Sequence, residues 1–402
     1  ATDSFTPSEF DLTAALQEGE NKLTVQVFRF SSSTWAEDQD FFRFSGIYRD
    51  VDLIRIPATS LWDYTIRTDV ADDYQSATVR VAVELETEEE ATVELKLTNA
   101  LHELVAQASA TTAGAAELKL PLEDPELWSA EHPYLYELEI AVKDASGEVV
   151  SYHFEPVGIR RFEIADGLMK LNGERIVFNG VNRHDFSAEH GRSVLLTDIY
   201  EDMILMKQHN INAIRTSHYP SRHELYRWAD ELGFYVIAEN NLESHGAWPS
   251  RRLGEAIDVA LPGDREDWLD IMLDRVDSTY QRDKNRPSVL IWSVGNEAYG
   301  GTVIRDMAQR FRDHDDSRLV HYEGIFNDRR YNESSDMESQ MYTSVEGIKS
   351  FLQAHPEKPF IVCEYTHAMG NSIGGMHKYT DYTDEEPLFQ GGFIWDYIDQ
   401  TI

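Results

Sequence analysis

"SVLIWSVGNE", residues 288–297, is a short apolar run that stops at a glycine, an amide and a carboxylate, and "GTVIRDMAQRFRDHD", residues 301–315, follows it with helical spacing. The same alternation recurs from about residue 158 onward. Strand-like runs are "RIVFNGVN", "INAIRTSH", "FYVIAEN", "RLVHYEG", "MESQMY", "FIVCEY" and "GGFIWDYI"; helical stretches include "DIYEDMILMKQHN", "SRHELYRWADELG" and "REDWLDIMLDRVDSTYQRD". Eight strand candidates, most with a helix between them, predict a parallel (β/α)8 TIM barrel over residues 158–402. In "SRHELYRWADELG", Leu225, Trp228, Ala229 and Leu232 share one helical face and Gly233 follows as a cap, so these side chains are expected in the core. The chain stops just after the eighth strand candidate, and the barrel is expected to lack its last helix.

Upstream the rhythm is different. Residues 61–157 contain "DYTIRTDV", "SATVRVAVELET", "ATVELKLTN", "AELKLPL", "YLYELEIAVKD" and "VVSYHFEPV", closely spaced with turn signals such as "DASGE", which predicts an immunoglobulin-like β-sandwich. Residues 1–60 hold "NKLTVQVFRF" and "GIYRDVDLIRI" around the polar loop "SSSTWAEDQD", and are expected to be a partial, jelly-roll-like β-sandwich. The opening "ATDSFTPSEFDLTAAL" has no signal-peptide pattern and reads as the middle of a domain.

Composition narrows the partners. Across 402 residues, 72 Asp and Glu face 36 Lys and Arg, a net charge of −36 that is spread along the chain. Such a field repels nucleic-acid phosphates and anionic membrane surfaces, leaving neutral or cationic small molecules as the expected ligands. No stretch approaches the roughly 18 apolar residues of a membrane span. The single cysteine, Cys363, lies inside an apolar run, forms no internal disulfide and favours a reducing, cytoplasmic compartment.

In a TIM barrel the active site forms at the C-terminal ends of the strands. Here those ends are polar almost without exception: Asn182, Arg183 and His184; Arg215 and His218; Glu239, Asn241, Glu243 and His245; Asn296 and Glu297; Glu323; Tyr342; Glu364 and His367; Trp395 and Asp396. Convergence of so many charges on one rim has a desolvation cost that packing alone does not explain. Two of them suit glycosidic-bond hydrolysis, which needs an acid for the leaving oxygen and, for retention, a second carboxylate about 5–5.5 Å away to attack the anomeric carbon. Glu297 and Glu364 end the fourth and seventh strand candidates and so share one mouth. Crowding raises the pKa of one carboxyl, which then serves as the acid. Asn296 beside it can hydrogen-bond a sugar hydroxyl next to the anomeric carbon.

"GVNRHD", "RTSHYP", "NNLESHG", "LIWSVGNE", "VCEYTHAMGNS" and "GGFIWDYIDQ", six motifs in order, resemble the barrel motifs of glycoside hydrolase family 2 and specifically its bacterial β-galactosidases; "EDQDFFRFSGIYRD" extends the resemblance into the first unit. "SHYP" and "THAMGNS" favour β-galactosidases over the family's β-glucuronidases and β-mannosidases. The resemblance implies Glu364 as nucleophile and Glu297 as general acid/base. It implies Glu243 and His245, with Glu297, as Mg2+ ligands, a reasonable shell for a hard cation, and a Na+ site whose loop lies outside this sequence. It further implies galactose contacts from Asp40, His218, Asn296, His367 and Trp395, with Tyr342 beside the nucleophile and Arg215 near its carboxylate. Asp40 would reach the barrel from the first unit, and the face of galactose would stack on Trp395. One departure stands out: Phe186 and Ser187 in "NRHDFSAEHG" occupy positions where many members have a further histidine pair. The activity so implied is a retaining β-galactosidase that hydrolyses terminal β-D-galactosides such as lactose through a galactosyl-enzyme, with transfer to other sugars, the full-length parent being a homo-oligomer. The competing expectation is a catalytically incomplete fragment that binds galactosides or requires a partner chain.

Overall fold

The computed structural model describes residues 3–248, 259–370, 372–398 and 400. Seven antiparallel strands form the central sandwich: β1 (Ser60–Val70), β2 (Ser76–Glu86), β3 (Ala91–Thr98), β4 (Leu104–Thr112), β5 (Ala115–Glu123), β6 (Tyr136–Lys143) and β7 (Val149–Val157). They divide into sheets ordered β1-β2-β5 and β4-β3-β6-β7. Period-two alternation is visible in β2, where Val79, Val81 and Val83 are buried and meet Val93, Leu95, Leu97, Leu138 and Ile140 from the facing sheet. Strand β4, "LVAQASATT", escapes a hydrophobicity reading because its buried-side residues are alanines.

A three-stranded meander follows, β8 (Phe162–Ala165), β9 (Leu168–Leu171) and β10 (Glu174–Arg175). Then come the eight parallel strands: β11 (Phe178–Arg183), β12 (Ala213–Thr216), β13 (Tyr235–Glu239), β14 (Val289–Ser293), β15 (Leu319–His321), β16 (Glu338–Met341), β17 (Phe360–Tyr365) and β18 (Phe389–Tyr397). Their order is β15-β14-β13-β12-β11-β18-β17-β16. At the seam the Asp336 N–H donates to the Val320 carbonyl at 2.8 Å, and Asp336 Oδ2 accepts the Val320 N–H at 2.6 Å, so β15 meets the segment leading into β16. Helices α1 (Leu196–Gln208), α2 (His223–Leu232), α3 (Leu269–Asp283), α4 (Thr302–His314), α5 (Val345–Ala354) and α6 (His377–Glu385) cover the outside. All five residues of β13 and of β14 are buried, as strands enclosed on both faces must be. In α2, Leu225 and Ala229 are fully buried while Trp228 and Leu232 pack at the edge of the same core. Gly233 adopts φ 80° after this helix, and a Cβ there would lie 2.3 Å from the Ala130 carbonyl oxygen, so the cap accepts no side chain.

Where the barrel strands begin, Phe178, Ala213, Tyr235, Ile291, Met337 and Ile361 pack with Phe162, Met169 and Leu171 of the meander and with Trp128. That end is therefore closed by apolar packing. The sandwich is bound to the barrel's flank by Arg67–Asp315 at 2.9 Å, Lys284–Asp63 at 2.5 Å, and a pair of hydrogen bonds between Asn285 and the backbone of Ile66 and Tyr64.

Residues 3–59 differ from the expectation at the level of strands. "NKLTVQVFRF" and the segment from Gly46 to Ile56 run without ladder pairing, and Leu23, Val25, Val27, Phe28, Phe30, Leu53, Ile54 and Ile56 are exposed. Alternation creates a strand only when a neighbouring backbone takes up its N–H and C=O groups and a facing layer covers its apolar side. Among the described residues neither is provided. The loop between these segments, by contrast, is firmly placed on the rim of the barrel.

Candidate active site

The strands end in a network organised by Arg215, which β12 delivers fully buried. Its guanidinium donates through Nε and Nη2 to the two oxygens of Glu239 at 2.8 and 2.9 Å. Nη1 reaches Asn182 Oδ1 at 2.9 Å and Glu364 Oε1 at 2.8 Å, and Nη2 also reaches Asn296 Oδ1 at 2.9 Å. One planar fork thus ties together the ends of β11, β13, β14 and β17. Glu239 accepts further bonds from Ser293 Oγ and His218 Nδ1, both at 2.7 Å. Burial pushes its carboxyl up, but the Arg215 charge and these bonds outweigh it and hold the pKa at about 2.

Glu364 ends β17 and is nearly enclosed. Oε1 faces Arg215; Oε2 accepts the Tyr342 hydroxyl at 2.9 Å, and His218 Nε2 lies 3.8 Å from Oε1. Burial and the adjacent Glu364 carboxylate push the Tyr342 phenol far above its ordinary range, so it remains a donor. His218 lies flat against Trp395, with centroids 5.0 Å apart and planes at 8°.

Glu297 sits on a loop of unusual backbone. Gly295, Glu297 and Tyr299 have φ of 156°, 34° and 63°, and a Cβ on Gly295 would be 2.8 Å from the Leu242 side chain. Left-handed geometry in non-glycine residues persists where surrounding contacts over-determine it. Here the Glu297 N–H donates to Glu323 Oε1 at 2.7 Å and its carbonyl accepts Trp248 Nε1 at 2.7 Å. Burial raises the Glu297 carboxyl pKa; His245 opposes this, and the charges of Glu364 and Asp40 add to it.

Glu243, His245 and Glu297 bring one ligand atom each within 4.8 Å of one another, and this is the one such His/Cys/Asp/Glu group among the described residues. His245 Nδ1 is 2.7 Å from Glu297 Oε2. The Glu243 carboxyl is held well above the usual carboxylate range by burial, with the charges of Glu297, Glu364 and Asp40 adding to it. Two carboxylates and an imidazole around an acidic, desolvated point match a hard divalent cation, whose charge would relieve that repulsion.

The first unit supplies part of the rim. The Asp38 N–H donates to the Glu243 carbonyl at 3.0 Å, and the Glu243 N–H donates to the Ala36 carbonyl at 2.9 Å. Gln39 Nε2 donates to Asn241 Oδ1 at 2.9 Å and to the His218 carbonyl at 3.3 Å. Asp40 follows, exposed, with its charge felt at both Glu243 and Glu297.

The family profile described as "Glycosyl hydrolases family 2, TIM barrel domain" matches residues 162–402. The chain belongs to glycosyl hydrolases family 2. Two further profiles of the family match upstream, "Glycosyl hydrolases family 2" over residues 59–160 and the "sugar binding domain" over 1–57. Among curated relatives, "Beta-galactosidase" of Halalkalibacterium halodurans is 49% identical over the whole chain and 40% of its own length. "Beta-galactosidase" of Priestia megaterium is 44% identical, again over 40% of its length. "Beta-galactosidase large subunit" of Latilactobacillus sakei is 43% identical over 64% of its length. The chain thus spans about two fifths of the first two relatives. A solved β-D-glucuronidase of Dictyoglomus thermophilum superposes with a TM-score of 0.74 over 90% of this chain and 67% of that one, at 22% identity, which speaks for the fold.

Within this family 2 chain, Glu364, Arg215, Tyr342, His218, Asn296 and Trp395 form one connected group, and Glu297, Glu243 and His245 a second, joined to the first by the Asn296 amide, which donates to Glu243 Oε2 at 2.9 Å. His367 is exposed, its ring 6.1 Å from that of Tyr342. Asp396 follows Trp395 on the rim, half-buried. His184 packs edge-on against Trp395 at 5.4 Å; its Nδ1 meets the Tyr219 hydroxyl and its buried Nε2 has no hydrogen-bond partner among the described residues. Three contributors carry no signal of their own in the sequence. Gln39 is visible only as the neighbour of Asp40, Trp248 only as the aromatic three residues after His245, and the positioning bond of Glu323 only once β14 and β15 are side by side.

Proposed function

We propose that the chain carries the sugar-cleaving half of a retaining β-galactosidase, with Glu364 as nucleophile and Glu297 as acid/base. The observation that carries this reading is the unequal treatment of two carboxyls at one mouth. Glu364 is clamped by Arg215 and Tyr342, whereas Glu297 is raised by burial and by Glu364 itself. In the first step the C1–O bond breaks as Glu364 Oε bonds to C1 and the Glu297 proton passes to the departing oxygen. In the second, Glu297 takes a proton from water as the water oxygen displaces Glu364 from C1. Transfer to another sugar replaces that water with a hydroxyl.

His218, flat on Trp395, and Asp40, His367 and Asn296 around it are read as sugar contacts; Asn296 keeps one amide hydrogen beyond that given to Glu243. A galactoside such as lactose is favoured over a uronide because Asp40 and Glu364 would repel a sugar carboxylate, and because the relatives at 43–49% identity are named β-galactosidases. Glu243, His245 and Glu297 would hold Mg2+, which when bound neutralises the crowded carboxyls. We read residues 1–60, 61–157 and 158–402 as three units and, from the lone buried Cys363, the cytoplasm as their compartment.

A second reading, dependence on a partner chain, is favoured by the exposed apolar residues between Leu23 and Ile56 and by the name "large subunit" among the relatives; the full enzyme would then be an oligomer. One experiment addresses both. The purified 402-residue chain, assayed with a nitrophenyl β-galactoside, should turn over and be inactivated by a 2-deoxy-2-fluoro-galactoside with the adduct on Glu364. A labelled residue other than Glu364 refutes the assignment, and a folded but inactive chain supports the partner reading.

A further inference from the structure

Two aromatic groups flank this mouth, and they belong to opposite sides of the chemistry. Trp395 lies with His218, whose Nε2 is 3.8 Å from Glu364. Trp248 lies with Glu297: its Nε1 donates to the Glu297 carbonyl at 2.7 Å, its ring centroid is 4.4 Å from that of His245, and Tyr299, two residues past Glu297, meets it edge-on at 6.1 Å and 75°. Both Trp248 and Tyr299 are half-buried. Trp248 has its one polar atom satisfied by the backbone of the residue read as the acid, which leaves an indole whose remaining surface is apolar. Tyr299 holds φ 63°, a conformation rare for a bulky side chain that persists only where its surroundings fix it.

The bond to be broken joins a carbon that faces Glu364 to an oxygen that receives the Glu297 proton, so the leaving group must lie on the Glu297 side. We infer that Trp248 and Tyr299 form the platform for this leaving group, and that the group it selects is one with a flat apolar face, a pyranose ring or an aryl ring. The inference rests on the acid/base role of Glu297 proposed above. It assigns recognition on the two sides of the scissile bond to different elements, the end of β18 for the galactose and the loops after β13 and β14 for what departs.

The test compares kcat/KM for lactose with that for β-galactosyl fluoride, whose leaving group is a single atom, using the longest natural chain that contains residues 1–402. In Trp248→Ala the lactose-to-fluoride ratio should fall about five- to tenfold, as the loss of one stacking partner gives, while Trp248→Phe should retain most of it. An unchanged ratio, or an equal fall for both substrates, overturns the platform, the second outcome indicating a purely structural Trp248. If Trp248→Ala does not fold by circular dichroism, Tyr299→Ala takes its place, with a fall in the same ratio expected and an unchanged ratio overturning the platform. Wild-type protein that cleaves neither substrate removes the proposed function, and the platform with it; wild-type protein that cleaves both with no change of ratio in the alanine variant removes the platform alone.

Discussion

The two ends of the barrel are made by the same eight strands and obey different rules. At the end where the strands begin, Phe178, Tyr235, Ile291 and Ile361 meet Met169, Leu171 and Trp128, and the buried charges beside them, Arg160 and Arg318, are answered by the Pro287 and Val289 carbonyls and by Asp315. At the other end Arg215, Glu239, Glu243, Glu323 and Glu364 are all nearly or fully buried, and each requires neighbours from other strands to be tolerated. The first end is tolerant of exchange among apolar shapes. The second crowds Glu243, Glu297 and Glu323 around Glu364, and burial and the repulsion of like charges push the first three carboxyls upward, an arrangement that a stability optimum would avoid.

That contrast can be broken or sharpened experimentally. The largest effect is expected from Glu364→Gln, which should reduce kcat by about 10^4-fold or more with an unchanged circular dichroism spectrum; appreciable residual turnover would move the nucleophile elsewhere. Next, Glu297→Gln should lower kcat about 10²- to 10⁴-fold for poor leaving groups. In the wild type, an acid with a raised pKa stays protonated to higher pH and loses its proton as pH rises through that pKa. The alkaline limb of kcat/KM should therefore be absent in the variant, and a retained limb would assign it to another group. Chelation should cost about 10- to 100-fold, restored by Mg2+ and weakened in affinity by His245→Ala; unchanged rates in EDTA would detach this cluster from a cation.

Two smaller effects concern stability. Glu239 has a folded pKa of about 2 against an ordinary 4.5, so its contribution is present above the ordinary value and is lost as pH falls from there toward 2. Acid unfolding followed by fluorescence should be less steep in that window for Glu239→Gln, which at neutral pH should be destabilised by about 3–5 kcal/mol because Arg215 keeps an unmatched charge. At the apolar end, Met169→Ala should cost about 2–5 kcal/mol in urea unfolding and leave kcat unaltered in protein that remains folded. A large loss of kcat there would mean that the two ends are coupled.

Much of this division was legible beforehand. The eight barrel strands lie where strand-like runs predicted them, most of them apolar because both faces are covered, while β16, "ESQM", is mostly polar. Six of the seven sandwich strands were readable from alternation; β4, with alanines inward, was not. Residues 3–59 show the reverse case. Their alternation is real, yet no ladder forms among the described residues, because pairing depends on a neighbour that a sequence pattern does not contain.

By itself, then, the sequence determined the rhythm of the barrel and the chemical types on its rim, since period and polarity are properties of neighbouring residues in the chain. Only the tertiary structure decided that one guanidinium, Arg215, serves Glu364, Glu239, Asn182 and Asn296 together, that Gln39 braces the backbone of His218, and that Trp248 lies against Glu297. These partners come from different strands and units, and their choice follows from the need to compensate buried charge in three dimensions, which no local spacing encodes.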